Sequence, residues 1–211
     1  MKITTVEKEK LSVGLTQFID FTVRQTMLAK MNKITEIKNQ GDYHPVKDHW
    51  KQLRERIKFC YEKNQSLENL DALLSEVHER KINSYTQAIK AFKKFTRNKE
   101  IEWFDPPKSL WTSNNGLIVR SSPELGLIID GIPHLIKLFF KGNTEKINER
   151  NIQPILTLML EARCNDSIPE NIVYAVLNVK TAKLHVASQT NSKILQALQL
   201  EAQTYENIWR N

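Results

Sequence analysis

The residues that could do chemistry lie close together in one run, Ser122-Pro123-Glu124-Leu125-Gly126-Leu127-Ile128-Ile129-Asp130-Gly131-Ile132-Pro133-His134-Leu135-Ile136-Lys137-Leu138. Asp130-Gly131 between two apolar stretches is a strong hairpin signal. Glu124 then opens one strand and Lys137 sits inside the returning one. Alternation places Leu135 and Lys137 on one face, and His134 and Ile136 on the other. Lysine is rare within an apolar run. Flanked by Ile136 and Leu138, Lys137 needs a partner or a route to water, and Glu124 across the hairpin is the partner the spacing offers. Two chemistries suit such a pair. A carboxylate can help hold Mg²⁺, which activates water and neutralises charge in phosphodiester cleavage, while the lysine steadies the charged transition state. Alternatively, the two charges form an ion pair on a half-exposed sheet and hold the hairpin together.

The arrangement resembles the PD-(D/E)xK nuclease superfamily, in which an acidic residue opens a strand after a proline and the returning strand carries an acid, a spacer and a lysine. Pro123-Glu124 would stand for the first pair and Lys137 for the lysine. The second acidic position falls on Leu135, which cannot bind a metal. The resemblance implies that the missing carboxylate comes from the following helix, from Glu149 with Gln153 beside it. It also implies that Glu76 or Glu79, on the helix before the core, supplies the acidic helix residue. The implied catalytic set is Glu124, Lys137, Glu149 and Gln153, around Mg²⁺ held by Glu124, Glu149 and Glu79. It spans roughly residues 70–187 and implies a restriction-endonuclease-like core.

Other clusters read more simply. Asp42, His44, Asp48 and His49 crowd one stretch, but the histidines are not at the i, i+4 spacing that puts two metal ligands on one helix face. Asp42 reads as a cap and His49 as a surface residue. His185 reads as solvent-facing in its strand. No nucleophile elbow, P-loop or dinucleotide glycine pattern occurs, and 6 glycines leave little room for phosphate-cradling loops. Cys60 and Cys164 stand far apart, which argues against a disulfide scaffold or a cysteine zinc site. Lys90, Lys93, Lys94 and Arg97 form a basic ridge on a helix whose Phe92 and Phe95 point elsewhere. Such a ridge suits a phosphate backbone, or is a solvated helix end with cations favoured by the macrodipole.

Several elements must position these residues. Leu11, Leu15, Phe18, Ile19, Val23, Met27, Met31 and Ile34 recur at helical spacing, which predicts one helix of about 25 residues. Gly41-Asp42 ends it or follows its end, and Pro45 opens a second helix through Trp50, Leu53, Ile57 and Tyr61. From Ser66 to Phe95 the pattern is one long helix, or two joined near Lys81. Asp105-Pro106-Pro107 stops any helix, and strand texture starts after Gly116. Strands are expected at Leu117–Arg120, Glu124–Ile129, Pro133–Phe140, Asn171–Val179 and Ala182–Val186. Gly142-Asn143 closes the hairpin section. Helices are expected at Ile147–Ala162, kinked by Pro154 or starting only near Gln153, and at Ser192–Trp209. The expected class is α+β or α/β: a helical region over 1–104, then a mixed sheet flanked by helices over 105–211, with the helix of 66–97 assignable to either.

The chain of 211 residues carries 31 Lys and Arg against 24 Asp and Glu, a net of +7. Residues 1–100 hold 20 and 13 of these, so the whole excess lies there. Any nucleic-acid affinity is therefore expected mainly in that half. Charges at Glu7 to Lys10 come too early for a secretory signal, and no apolar run reaches membrane-spanning length, so the expected place is the cytoplasm, off the membrane. Together these readings describe a nucleic-acid-binding protein with a degenerate nuclease core, in its active form a Mg²⁺-dependent DNA nuclease. The alternative is a non-catalytic interaction protein whose amphipathic helices dimerise or dock a protein partner.

Overall fold

The computed structural model describes residues 10–39, 48–140, 149–187 and 189–211, the side chains of 149–151 excepted. In chain order the elements are β1 (Ser12–Gly14), α1 (Leu15–Thr22), α2 (Met27–Asn39), α3 (Lys51–Glu62), α4 (Asn69–Ala72) with a following 3-10 turn (Leu73–Ser75), and α5 (Glu79–Thr96). Then come β2 (Ile101–Phe104), β3 (Ser109–Thr112), β4 (Ile118–Arg120), β5 (Leu125–Ile129), β6 (Ile132–Phe139), α6 (Glu149–Leu160), β7 (Arg163–Cys164), β8 (Val173–Asn178), β9 (Lys183–Ala187) and α7 (Ser192–Arg210). The fold is α+β, with two mixed sheets.

The larger sheet has the order β2-β5-β6-β8-β9. Its hairpin β5/β6 is antiparallel, and β6 runs parallel to β8 after the crossover through α6. Asp130 (φ 50°) and Gly131 (φ 82°) make the expected tight turn. The period-two pattern sorts this sheet between two cores. Leu125, Leu127, Ile129, Ile136 and Leu138 pack on α3, α4 and α5 with Leu53, Ile57, Tyr85, Ile89 and Phe92. Phe139 and Val176 point the other way, onto Phe18, Ile155, Leu156 and Tyr205 of α1, α6 and α7. The smaller sheet, in the order β1-β4-β3-β7, closes that second core with Val13, Trp111 and Val119.

Two expectations need correction. The stripe from Leu11 to Ile34 is not one helix: Ser12–Gly14 is a strand parallel to β4, and the helix that follows breaks between Thr22 and Met27. Strand and helix there share apolar spacing, and the restart is set by Thr26, whose Oγ1 accepts from Ala29 N–H at 3.2 Å. Strands also precede Gly116, since β2 and β3 flank the two prolines. Of the two forms expected for the 66–97 pattern the structure has the divided one, with the break near Lys81, where His78 Nδ1 accepts from Arg80 N–H at 3.2 Å and caps α5. Pro154 lies inside α6 rather than at its start. The expected boundaries at Gly41-Asp42, Pro45 and Gly142-Asn143 lie outside the described residues. Among the described residues no helix is long and apolar enough to cross a membrane.

Candidate functional site

The β5/β6 register, Leu125 opposite Ile136 and Gly126 opposite Leu135, carries Glu124 up to Lys137. Glu124 N–H donates to Ile136 O at 3.0 Å and is the last backbone bond of the hairpin on that side. Beyond it the Glu124 side chain takes over. Its Oε2 accepts from Leu138 N–H at 2.8 Å, where a longer β5 would have offered a carbonyl. Its Oε1 accepts from Lys137 Nζ at 2.6 Å, and the same ammonium donates to Ser122 O at 3.0 Å. Lys137 is 14% exposed and Glu124 22%. Both carboxylate oxygens are thus engaged by the protein's own donors, and charge-assisted bonds of this kind are among the stronger ones.

Lys137 shares its face with Phe139, toward α1 and α6. There a cavity of about 20 Å³ is lined by Thr16, Ile19, Asp20, Lys137, Phe139 and Ile155 among others. It has room for about one water. Asp20 was missed in the sequence, though the signal was the one that marked Lys137: a charge between apolar neighbours, here Ile19 and Phe21.

The other implied residues do not gather here. Glu79 opens α5, which packs on the opposite face of the sheet. Glu76 accepts from Arg56 Nη2 at 2.6 Å. Gln153 lines a separate open groove of about 600 Å³ beside Asn191 and Lys193 at the start of α7. The Glu149 side chain lies outside the described residues. Leu135 is fully buried. Among the described residues no three His, Cys, Asp or Glu side chains group as metal ligands. Among the described residues, the carboxylates beside Lys137 are Glu124, already engaged, and Asp20 across the small cavity, a sparse set for Mg²⁺, which prefers several oxygens at near-octahedral geometry.

On the basic ridge Lys90, Lys94 and Arg97 are exposed, with Arg97 just past the end of α5. Lys93 is paired at 2.5 Å with Asp71 and at 3.1 Å with Glu68. Asp48 pairs with Arg54 at 2.6 Å, while Asp42 and His44 lie outside the described residues. His185 is half-buried opposite Val176, while its neighbour Val186 is exposed, the reverse of the expectation. Cys60 and Cys164 are free thiols, and burial pushes both above the usual thiol range, away from nucleophilic use. No family model matches this chain, and no curated protein matches it in sequence.

Proposed function

We propose that this chain is a nucleic-acid-binding protein built on a degenerate PD-(D/E)xK-like core, in which Glu124 and Lys137 have become a structural ion pair. The observation that carries the reading is the 2.6 Å contact between Glu124 and Lys137 at the mouth of the β5/β6 hairpin. It sits within the order α5, β2, β5, β6, α6, β8, in which the two hairpin strands and a parallel strand after a crossover helix share one sheet. That order and that pair fit the resemblance. The committed oxygens of Glu124 and the buried Leu135 favour loss of cleavage. Nucleic-acid contact is supported by the net charge of +7 and by the exposed Lys90, Lys94 and Arg97. Free thiols at both cysteines suit a reducing cytoplasm.

The test is to mix the full chain with plasmid and linear DNA, with and without Mg²⁺ or Mn²⁺. Binding that weakens steeply with salt, without cleavage and without a metal-induced rise in Tm, is the expected result. Metal-dependent cleavage that disappears in Asp20→Asn, Glu124→Gln or Lys137→Ala would show an active nuclease instead. Absence of binding at low salt would leave the interaction-protein reading. One observation favours that second reading: Val23, Met27, Leu28 and Met31 are exposed around the α1–α2 corner, an apolar surface suited to a second copy or a protein partner.

A further inference from the structure

We propose that His49, Lys81 and Lys180 form a binding site for a phosphate group, on the α3/α5 side of the larger sheet and independent of the Glu124–Lys137 pair. The site is built on an aromatic wall. Trp50 stacks on Tyr85 (centroids 5.4 Å apart, planes at 14°) and on Phe140 (4.9 Å, 17°). The His49 ring stands edge-on to Trp50 at 4.7 Å and to Tyr85 at 5.7 Å. Lys180 Nζ lies over Trp50 at 5.5 Å, and Lys81 Nζ over Tyr85 at 5.8 Å. The two ammonium groups and the imidazole are therefore gathered around two touching rings.

The elements that meet here come from distant parts of the chain. His49 precedes α3, Lys81 is in the first turns of α5, Phe140 follows β6 and Lys180 follows β8. The parallel strands β6 and β8 thus deliver their carboxyl ends to this wall, the place where open α/β sheets take their ligands.

Among the described residues the cations are poorly compensated. Neither Lys81 nor Lys180 forms an ion pair among the described residues. Lys81 Nζ instead donates to the neutral Gln52 Oε1 at 2.9 Å. Asp48 nearby is committed to Arg54. Ser84 Oγ donates to Lys81 O at 2.9 Å, which uses its only proton. At its 2.8 Å contact with His49 Nε2 the hydroxyl must then accept, so the imidazole carries its proton on Nε2 and leaves Nδ1 bare. Burial of one side of the ring, then Lys81 and Lys180, hold His49 below its ordinary value, while Asp48 opposes them more weakly. An arriving dianion reverses this balance: Nδ1 takes a proton from solvent, and three donors face the oxygens.

The ligand is a phosphate rather than a base or a carboxylate. Trp50 is already covered by Tyr85, Phe140 and Lys180, so little ring face remains for a base to stack on. Three cationic groups carry more positive charge than one carboxylate offsets, whereas a phosphate dianion offsets two of them. The phosphate belongs either to a nucleic-acid backbone or to a small phosphorylated molecule.

The test follows the five histidine imidazoles of the full-length protein by NMR, with His49 identified from His49→Gln. The probes are inorganic phosphate, a short DNA duplex, and acetate at matched ionic strength. Expected are a saturable shift of the His49 signals by phosphate, a rise in its pKa on binding, and roughly tenfold or greater weakening in Lys81→Gln/Lys180→Gln. Lys193→Gln, at the exposed start of α7 on the other side of the sheet, should bind as the wild type does. A matching shift with the duplex assigns the phosphate to nucleic acid, and a shift with phosphate alone assigns it to a small molecule. His49 signals unmoved by phosphate in the wild-type protein, an equal response to acetate, or unchanged binding in the folded double lysine variant would overturn the proposal. These readouts involve no cleavage, so the site can fail while the nuclease-core reading stands, and the reverse.

Discussion

At the scale of single residues the chain hides charge in two different ways. Lys137 is inside the sheet and satisfied by Glu124 and Ser122, whereas His49 is at the surface with Lys81 and Lys180 near it. Removing the Lys137 ammonium leaves a mostly buried carboxylate with one of its two partners gone. Lys137→Ala should cost about 1–3 kcal/mol in urea unfolding. Glu124→Gln with Lys137→Met, which removes both charges and keeps the volume, should recover much of that. Unchanged stability in Lys137→Ala would demote the pair to a surface contact. The His49 prediction has the opposite dependence on its neighbours. Its folded pKa lies below the ordinary 6.5, so the unfolded chain binds the proton more readily. Stability from this group is complete above 6.5 and falls as pH drops through that value toward the folded one. His49→Gln should flatten the slope of Tm against pH across that window, and an unaltered slope would place the acid sensitivity elsewhere. The Glu124–Lys137 pair was legible in the sequence because hairpin spacing and strand alternation both pointed to it. Asp20 was not, because its segment read as one long helix with no sheet to face.

At the scale of elements, legibility followed length and turn chemistry. The β5/β6 hairpin was readable from Asp130-Gly131 and two apolar strands. β1, with three residues, and β2 and β3, with four each, are too short to show a period, and the prolines between β2 and β3 drew attention away from both. The larger sheet also depends on a feature that no pattern displays. A Cβ on Gly126 would stand 2.4 Å from Phe104 O and 2.9 Å from the Phe104 ring, so β5 accepts only glycine where β2 crosses it closely. The hairpin turn offers the cleaner test. Gly131 has φ 82° and open space around its Cα, so a side chain there meets strain from the backbone alone. Gly131→Val should lower stability by about 1–2 kcal/mol, read as a shifted urea midpoint with an unchanged m-value. A shift near zero would mean that the turn relaxes into another type, and that Asp130, whose Oδ1 accepts from Glu100 N–H at 3.0 Å, rather than Gly131, holds the hairpin in register.

At the scale of the whole molecule, the chain order and the packing order differ. Charge and helical texture invite a division near residue 104, with the net positive half on one side of it. Packing runs across that division twice. α5 and β2 serve the core under β5, β6 and β8, and β1, α1 and α2 serve the core shared with α6 and α7. Lys30 of α2 is held by Glu201 of α7 at 2.5 Å, a bond between the two ends of the chain. The basic first half therefore shares both of its cores with the second, and tests of binding need the full chain with charges changed in place. A truncation makes the point measurable. Deleting residues 1–39 strips Val13, Leu15, Phe18, Ile19, Phe21 and Ile34 from a core whose other wall is Phe139, Val176, Leu156 and Tyr205. Burial of that many large side chains is worth roughly 10 kcal/mol or more, against a total stability of about 5–15 kcal/mol for an ordinary domain. The fragment 40–211 should lose cooperative unfolding and be digested rapidly by a low concentration of protease, although it keeps every strand of the larger sheet. If it unfolds cooperatively with a near-native midpoint, the core around Lys137 stands without α1, and Asp20 and the small cavity beside it are an accessory to the sheet rather than part of its support.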